Sequence, residues 1–308
     1  MTAIEVRHVS KKFGEHPAVQ DLTLDVPEGS IYGFIGPNGS GKSTTIRMIM
    51  NIILPDTGTI RVLGREASSD VRDQIGYLPE ERGLYKKMQV GRLLRYYGRL
   101  KGRAPADLDP VIKRWLGKLQ LAGWADKRID QLSKGMAQKV QFIAAIVAKP
   151  TLVILDEPFS GLDPVNAESL RDAVLELRRE GTTIVFSTHD MLTAEKMCDR
   201  IFMIFRGSKV LDGSLDEIQA QYAQDTVRLR LSGGAAALTG LPEIESVNDH
   251  GNYQDVRLNG SPQALLQRLI QKTEVRHFEI TKPSLHDIFV RIARPTDAEL
   301  AGPQKVAS

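Results

Sequence analysis

A glycine-rich segment at residues 36–44, GPNGSGKST, constrains this chain more than any other part of it. It matches the phosphate-binding pattern G-x-x-x-x-G-K-[ST], and it lies between an apolar run, Ser30–Ile35, and a predicted helix, Lys42–Met50. A strand that leads through a glycine loop into a helix directs backbone N–H groups and the positive end of the helix dipole towards an anion. The sequence therefore predicts a strand–loop–helix unit that binds phosphate groups.

Within this segment, the residue types have separate expected roles. Glycines at Gly36, Gly39 and Gly41 let the backbone approach phosphates without a Cβ atom in the way. Lys42 is expected to reach the terminal phosphates, and the Ser43 hydroxyl is expected to bind Mg²⁺. The predicted ligand is therefore a nucleoside triphosphate with its magnesium ion.

Two carboxylates follow the apolar run 151–155, which is typical of a parallel strand buried on both faces. Parallel sheets place their ligands at the carboxyl ends of strands, where Asp156 and Glu157 stand. Asp156 suits Mg²⁺, directly or through water, and Glu157 suits polarising the water that attacks the γ-phosphate. His189 follows the next strand, 182–187, so we expect it to reach the same phosphate.

The spacing of apolar residues predicts a parallel α/β sheet with a helical insertion. Apolar strands recur at 151–155, 182–187 and 200–205, with a helix over Pro164–Arg179 between the first two. This alternation indicates a parallel sheet, whereas Met88–Lys149 has helical periodicity. One face of the first inserted helix is predicted to carry Leu93, Leu94, Tyr97 and Leu100.

A change of pattern after residue 220 predicts a second domain. The first domain is expected to span 1–220, with its helical subdomain at about 86–150, and residues 221–294 read as a small α+β module with a ferredoxin-like arrangement. The polar residues 295–308 are expected to form a mobile tail. The module's helix Ser261–Gln271 is predicted to face inward with Leu265, Leu266, Leu269 and Ile270.

Composition argues against a nucleic-acid-binding protein, a disulfide-stabilised protein and a membrane-spanning protein. The 308 residues carry a net charge of only +3, which does not indicate a nucleic-acid partner. Cys198 is the single cysteine, so no intrachain disulfide can form and a reducing compartment is favoured. No apolar run is long enough to cross a bilayer, and the first residues lack a signal-peptide pattern. We expect a protein that is soluble on its own and acts at a membrane only through a partner.

Six short motifs within residues 1 to about 220 resemble, in type and order, those of the nucleotide-binding subunit of ATP-binding cassette (ABC) transporters. The matching segments are Phe13 (the aromatic that stacks on adenine), Gly36–Thr44 (Walker A), Leu132–Met136 (the signature), Leu152–Glu157 (Walker B), Ser160–Asp163 (the D-loop) and His189 (the switch histidine). The resemblance implies a P-loop ATPase of the ABC type, with a parallel-sheet core, an antiparallel β subdomain and a helical insertion.

The resemblance further implies that two identical subunits pair head to tail around two ATP molecules and Mg²⁺. Ser133 and Gly135 of one subunit would contact the γ-phosphate held by Lys42 of the other. Ser133 begins a predicted helix, whose first N–H groups suit an anion. The implied nucleotide-binding residues are Phe13, Gly36, Asn38, Gly39, Gly41, Lys42, Ser43, Thr44, Ser133, Gly135 and Asp163. Glu157, His189 and Lys42 are the implied catalytic residues, and Ser43, Asp156 and Glu80 the implied metal ligands.

A separate transmembrane permease is the second partner that the resemblance implies. It would hold this chain peripherally at the cytoplasmic face of the plasma (inner) membrane. The run 78–88, LPEERGLYKKM, and the run 283–289, PSLHDIF, are similar to bacterial and archaeal exporter ATPases made as separate chains, including sodium-efflux and drug-resistance systems. The predicted function is therefore to power an exporter.

Two departures from the family pattern affect this interpretation. Lys134 and Met136 replace Gly and Gln in the signature, while Ser133 and Gly135 are present as usual. Glu80 stands where most relatives have Gln. A carboxylate can still bind Mg²⁺, but it adds negative charge near the γ-phosphate, and the alternative is a surface glutamate in a mobile loop.

Basic residues crowd the segment 81–103, in which Glu81 is the only acid. They are Arg82, Lys86, Lys87, Arg92, Arg95, Arg99, Lys101 and Arg103. One interpretation is a solvated helix face. The other is a surface that docks on the cytosolic loops of a permease near anionic headgroups.

Two other functions stay open at this point. One is a soluble ABC ATPase that acts on ribosomes or DNA, although such relatives carry two cassettes or a long coiled coil, and this chain shows neither. The other is a regulatory subunit that senses ATP and hydrolyses little of it. Glu80 and Lys134 are compatible with this function because both depart from the family pattern.

Overall fold

A computed structural model describes most of the chain. The described residues are 1–72, 74–81, 83–222 and 226–293. Arg82 of the basic segment and the predicted tail 295–308 lie outside them. The chain divides into two units, Met1–Ser214 and Leu215–Ser308. Within the described ranges, no helix is long and apolar enough to cross a membrane.

The first unit alternates strands and helices. In chain order it contains β1 (Thr2–Phe13), β2 (His16–Pro27), β3 (Ile31–Ile35), α1 (Lys42–Ile49), β4 (Thr57–Val62), β5 (Arg65–Glu66), α2 (Ser69–Arg72), β6 (Ile75–Leu78), α3 (Val90–Leu100), α4 (Pro105–Lys118), α5 (Lys134–Ile146), β7 (Leu152–Asp156), α6 (Pro164–Arg179), β8 (Thr183–Thr188), α7 (Met191–Met197), β9 (Arg200–Phe205) and β10 (Ser208–Gly213).

The central sheet has six strands in the order β10-β9-β3-β8-β7-β6. All neighbouring strands are parallel except the edge pair of β9 and β10. Every residue of β3, β7 and β8 is buried, as continuous apolar runs require when both faces of a sheet are covered. The predicted parallel core is confirmed, and it brings the ends of β3, β7 and β8 to one edge.

A second, antiparallel sheet has the order β2-β1-β4-β5. Its inward side chains, such as Val6, share one apolar cluster with Ile46 of α1 and Phe34 of β3. A separate cluster joins the helical insertion to the core through residues such as Phe142 and Phe186. The predicted antiparallel subdomain and helical insertion are therefore both present.

The predicted apolar face of α3 is not buried along its whole length. Leu93 and Leu94 are buried as expected, but Leu100 is 58% exposed. The last turn of α3 is covered by α4 at Gly98, where an added Cβ would lie 2.3 Å from Leu108 Cδ2. Leu100 lies at the edge of that contact, so it is left in solvent.

The second unit is an α+β module. It contains α8 (Leu215–Tyr222), β11 (Thr226–Leu231), β12 (Ile244–Asp249), β13 (Gln254–Leu258), α9 (Pro262–Lys272), β14 (Val275–Ile280) and α10 (Leu285–Ala293). Its four strands are antiparallel in the order β12-β13-β11-β14, which is the order of a ferredoxin-like sheet. A 3₁₀ helix, Gly234–Leu238, takes the place of the first helix of that arrangement.

The module's core also corrects one expectation. Leu265 and Leu269 of α9 are fully buried, since residues four apart lie on the same face of a helix. Leu266 is half-buried. Ile270 is 64% exposed, because the next residue after Leu269 is turned about 100° away from the sheet.

Candidate functional site

The phosphate loop joins β3 to α1, and two of its glycines are required by close backbone contacts. Gly36 has a φ of 153°, and an added Cβ there would lie 2.2 Å from the carbonyl oxygen of Ile204. Gly41 caps α1 with a φ of 110°, and its Cβ would lie 2.5 Å from the carbonyl oxygen of Ala18. Any side chain at either position would push the loop away from β9 or β2.

Lys42 lies buried beneath this loop. Its Nζ atom donates hydrogen bonds to the carbonyl oxygens of Gly36 at 2.7 Å and Pro37 at 3.1 Å, and it is 4.0 Å from Glu157 Oε1. Burial lowers the pKa of Lys42, while the nearby carboxylates of Glu157, Asp156 and Glu80 oppose that shift. The ammonium group is thus held at the loop, where an incoming phosphate would find it.

Asp156 ends β7 among hydroxyl groups. Ser43 Oγ donates a hydrogen bond to Asp156 Oδ1 at 3.3 Å, and Ser187 Oγ donates another to the same oxygen. Hydroxyl and carboxylate oxygens are ligands that Mg²⁺ prefers, and Mg²⁺ usually takes only one or two carboxylates, with phosphates and water completing its shell. The donors present at Ser43 and Asp156 therefore fit a magnesium ion bound together with a phosphate. No group of three or more His, Cys, Asp or Glu suited to a metal occurs among the described residues.

Glu157 is the first residue after β7, and its backbone conformation is uncommon. Its φ is 49°, the left-handed region, which costs a residue with a Cβ roughly 1–2 kcal/mol. Its N–H donates to Ser187 Oγ at 3.1 Å. Its side chain is only 8% exposed, and Oε1 lies 3.0 Å from His189 Nδ1. The sharp turn after β7 thus fixes a carboxylate between a lysine and a histidine.

Lys42, Ser43 and Glu157 border a cavity of about 400 Å³, which we call the phosphate cavity. Asp156 and His189 are not among the described residues that line it. Its lining residues are Phe13, His16, Ala18, Asn38, Gly39, Gly41, Lys42, Ser43, Thr44, Glu80 and Glu157. Phe13 ends β1 and is 52% exposed. Lys11 Nζ lies 5.8 Å from the centre of its ring, and the exposed part of the ring suits stacking on a planar group. His16, at the start of β2, escaped prediction because an isolated histidine beside a turn has no pattern of its own.

The signature residues form a second group. Ser133 caps α5, and its Oγ accepts a hydrogen bond from Met136 N at 3.2 Å. Gly135 is buried, and an added Cβ would lie 2.8 Å from Asn166 Nδ2. Asp163 caps α6 by accepting from the N–H of Asn166 at 3.0 Å, and these hydrogen bonds lower the pKa of Asp163. Ser133, Gly135 and Asp163 are not among the described residues that line the phosphate cavity.

Two polar residues that support the site were not predicted. The hydroxyl of Ser187 donates to the carboxylate of Asp156 and accepts from the backbone N–H of Glu157. Its position at the end of a strand, two residues before His189, was the only sequence signal that could have indicated this role. Gln141 of α5 is buried, and its Nε2 donates to the carbonyl oxygens of Pro79 at 3.4 Å and Glu81 at 3.2 Å. The loop that carries Glu80 is therefore tied to the helical insertion.

Comparisons with known proteins point to one family. Residues 19–160 match the family model described as ABC transporter, and residues 213–293 match the model for the C-terminal domain of DrrA1-3-like ATP-binding proteins. The uncharacterized ABC transporter ATP-binding protein YhaQ of Bacillus subtilis is 39% identical over 290 residues, which cover 93% of this chain and 97% of that protein.

Two further matches extend the comparison. Nod factor export ATP-binding protein I of Burkholderia lata is 30% identical, with 94% of this chain and 96% of that protein covered. A solved ATP binding subunit of an ABC transporter matches with a TM-score of 0.68 at 32% identity, over 72% of this chain and 93% of the solved chain. The chain therefore belongs to the ATP-binding subunits of ABC transporters, which bind and hydrolyse ATP.

Proposed function

We propose that two copies of this chain enclose two Mg·ATP molecules and that closing and reopening of the pair drives a separate permease, of the exporter kind, in the membrane. The observation that carries the proposal is the separation of the two halves of the site. The cavity is lined by the loop, Lys42 and Glu157, whereas Ser133 and Gly135 are not among the described residues that line it. A second copy would supply them.

The exposed end of α5 suits this role. Ser133 is exposed and its hydroxyl already caps the helix, so the free N–H groups of the first turn and the helix dipole face outward. The first turn contains no acidic residue that would repel a phosphate. Lys134 adds a cation, and its Nζ lies over the D-loop, since an added Cβ on Gly161 would be 2.4 Å from it.

The residues of the candidate site, which include Asp156 and His189 beside the cavity, divide the chemistry between them. The loop N–H groups and Lys42 hold the β- and γ-phosphates, and Phe13 supports the base. Ser43 and Asp156 would hold Mg²⁺, which neutralises charge on the phosphates. Glu157 orients and polarises the attacking water, and His189, hydrogen bonded to Glu157, faces the γ-phosphate. Catalysis of this kind depends on position and electrostatics.

The pairing is tested by a change that preserves the helix cap. In a hydrolysis-deficient Glu157→Gln background, we expect Mg·ATP to convert monomers into dimers in size-exclusion chromatography with light scattering. Ser133→Asp keeps a good N-cap but places a negative charge against the γ-phosphate, so the dimer should be lost. Ser133→Asn is the matched neutral control and should still dimerise. Monomers throughout, with ATP bound, would contradict the pairing.

A cleft beside the loop of Glu80 supports the proposed permease contact. It has a volume of about 330 Å³ and is lined by Met50, Tyr77, Leu84, Tyr97 and Gln141, among others. Burial raises the pKa of Tyr77 to about 12, so its hydroxyl stays a neutral hydrogen-bond donor. Gln141 Oε1 is buried without a partner among the described residues. An apolar helical segment with one polar group would fit such a cleft.

The relatives favour export as the direction of transport. One of them is named a Nod factor export ATP-binding protein. From this name we infer only that this chain also serves an exporter, and we infer nothing about the exported substrate. The chain would then sit at the cytoplasmic face of the membrane, held by its permease. Reconstitution with the membrane protein that co-purifies with it should give ATP-dependent transport, and a permease-free ATPase acting on ribosomes would fail that test.

Glu80 gives a separate prediction about magnesium. Its carboxylate lines the cavity and acts electrostatically on Lys42. Glu80→Gln should raise the Mg²⁺ concentration for half-maximal turnover roughly 10-fold, because a neutral amide oxygen attracts the ion less than a carboxylate does. Phosphate release titrated with Mg²⁺ measures the change. Glu81→Gln, on the adjacent exposed residue, is the control; an equal shift in both variants would refute the metal-binding role.

A further inference from the structure

The exposed side of α3 carries a strip of basic and aromatic residues that the ATPase site does not use. We define the α3 surface as Tyr85, Lys86, Lys87, Arg92, Tyr96 and Arg99, all of them exposed. Arg92, Tyr96 and Arg99 are spaced by four and then three residues, so they lie on one helix face. Tyr85, Lys86 and Lys87 adjoin Arg92 at an open recess of about 450 Å³.

The charges of the α3 surface lack the partners that neighbouring basic residues have. Arg95 pairs with Asp109 at 2.6 Å, and Arg103 donates to the carbonyl oxygen of Ala148 at 2.8 Å. Within the described part of the chain, none of the four cations of the α3 surface has an ion-pair or hydrogen-bond partner. The sequence from 82 to 106 also contains no acid. The result is an uncompensated positive field on one face.

Aromatic and apolar groups lie among these charges. The ring of Tyr96 makes edge-on contacts with Tyr85, at a centroid distance of 6.0 Å, and with Tyr97, at 5.7 Å. Leu100 projects from the last turn of the same helix and is 58% exposed. Tyrosine favours the boundary between water and lipid because it has an apolar ring and a polar tip, and an exposed leucine beside arginines is typical of interfacial helices.

We propose that the α3 surface binds the anionic phosphate headgroups of the membrane lipid directly, with Tyr96 and Leu100 entering the interface. Arginine guanidinium groups suit phosphate because their planar fork donates two hydrogen bonds at once. An acidic protein segment would match the charge. It would not account for the exposed side chain of Leu100 or the exposed rings of Tyr85 and Tyr96. The proposal goes beyond the ATPase role and rests on the proposed function only for the nearness of the membrane.

Co-sedimentation of the purified full-length chain with vesicles tests the proposal without a permease. We expect binding to vesicles of phosphatidylcholine mixed with phosphatidylglycerol, no binding to phosphatidylcholine alone, and loss of binding as salt rises. Arg92→Ala combined with Arg99→Ala should weaken partitioning roughly 30-fold, the factor expected for two arginines near an anionic surface. The matched control removes two exposed arginines elsewhere, Arg65→Ala with Arg179→Ala, and should bind as the wild type does.

Several results would overturn the proposal. They are equal binding to both vesicle types, no binding to either, or equal losses in the two double variants, which would mean that only net charge matters. Binding that requires an acidic peptide or a permease in neutral vesicles would assign the surface to a protein partner instead. Basal phosphate release, measured on the same samples, reports on the proposed ATPase separately, because Arg92 and Arg99 lie outside the phosphate cavity.

Discussion

Replacing Glu157 by glutamine is expected to reduce ATP turnover by about 10²–10⁴-fold, the usual contribution of a positioned general base. Nucleotide binding should persist, because Lys42, Ser43 and the loop remain in place. The structural basis is the fixed carboxylate, held by Ser187 through its N–H and by His189 through Oε1. Glutamine has almost the same shape, so the left-handed backbone at this residue is not further strained.

Phosphate release and the binding of a fluorescent ATP analogue measure the two effects of Glu157→Gln separately. Glu28→Gln, at an exposed position between β2 and β3, is the control and should leave both unchanged. Near wild-type turnover in Glu157→Gln would reject the assignment. A wild-type protein that itself releases almost no phosphate would favour the ATP-sensing regulatory function instead.

The second large effect is expected at Lys42. Lys42→Met keeps an unbranched stem but removes the ammonium group, and we expect nucleotide affinity to fall roughly 10- to 100-fold, the value of one hydrogen bond to a charged phosphate. Equilibrium titration with a fluorescent ATP analogue measures the change. The midpoint of thermal unfolding without nucleotide shows whether the loop has also lost stability, since Lys42 Nζ bonds two loop carbonyls in the nucleotide-free protein.

The exposed Lys113→Ala variant controls for loss of a positive charge and should bind nucleotide normally. An unchanged affinity in Lys42→Met would refute the assignment of residues 36–44 as the phosphate site. A weakened affinity accompanied by a large fall in the unfolding midpoint would instead show that Lys42 acts mainly by holding the empty loop.

Sequence reasoning worked best where a residue type has few physical uses. Continuous apolar runs predicted the buried strands. Gly36 and Gly41 of the phosphate loop stand where a Cβ would meet a neighbouring backbone oxygen, whereas a Cβ on Gly39 would meet no neighbouring atom within 4 Å. The order of Asp156, Glu157 and His189 after successive strands was enough to predict that they meet, because parallel neighbours end at the same edge of a sheet. The hydrogen bond from His189 to Glu157 is consistent with that logic.

Prediction failed where tertiary packing decides. Leu100 has the helical period of the buried Leu93 but lies at the edge of the contact with α4, whereas Ile270 is turned away from the side of α9 that Leu265 and Leu269 bury. Ser187 and Gln141 act through hydrogen bonds across the fold, which no local spacing encodes. The roles given to Ser133, Gly135 and Asp163 depend on a second copy and stay predictions until the pairing is measured.

The hydroxyl of Ser187 has a consequence for how the two acids work together. Because β7 and β8 are in register at Asp156 and Ser187, one side chain donates to the first acid and accepts from the backbone of the second. The carboxylate of Asp156 and the backbone of Glu157 are therefore held by the same hydroxyl group. Sliding of β7 against β8 would therefore move both residues together, so the strand register fixes their positions relative to each other.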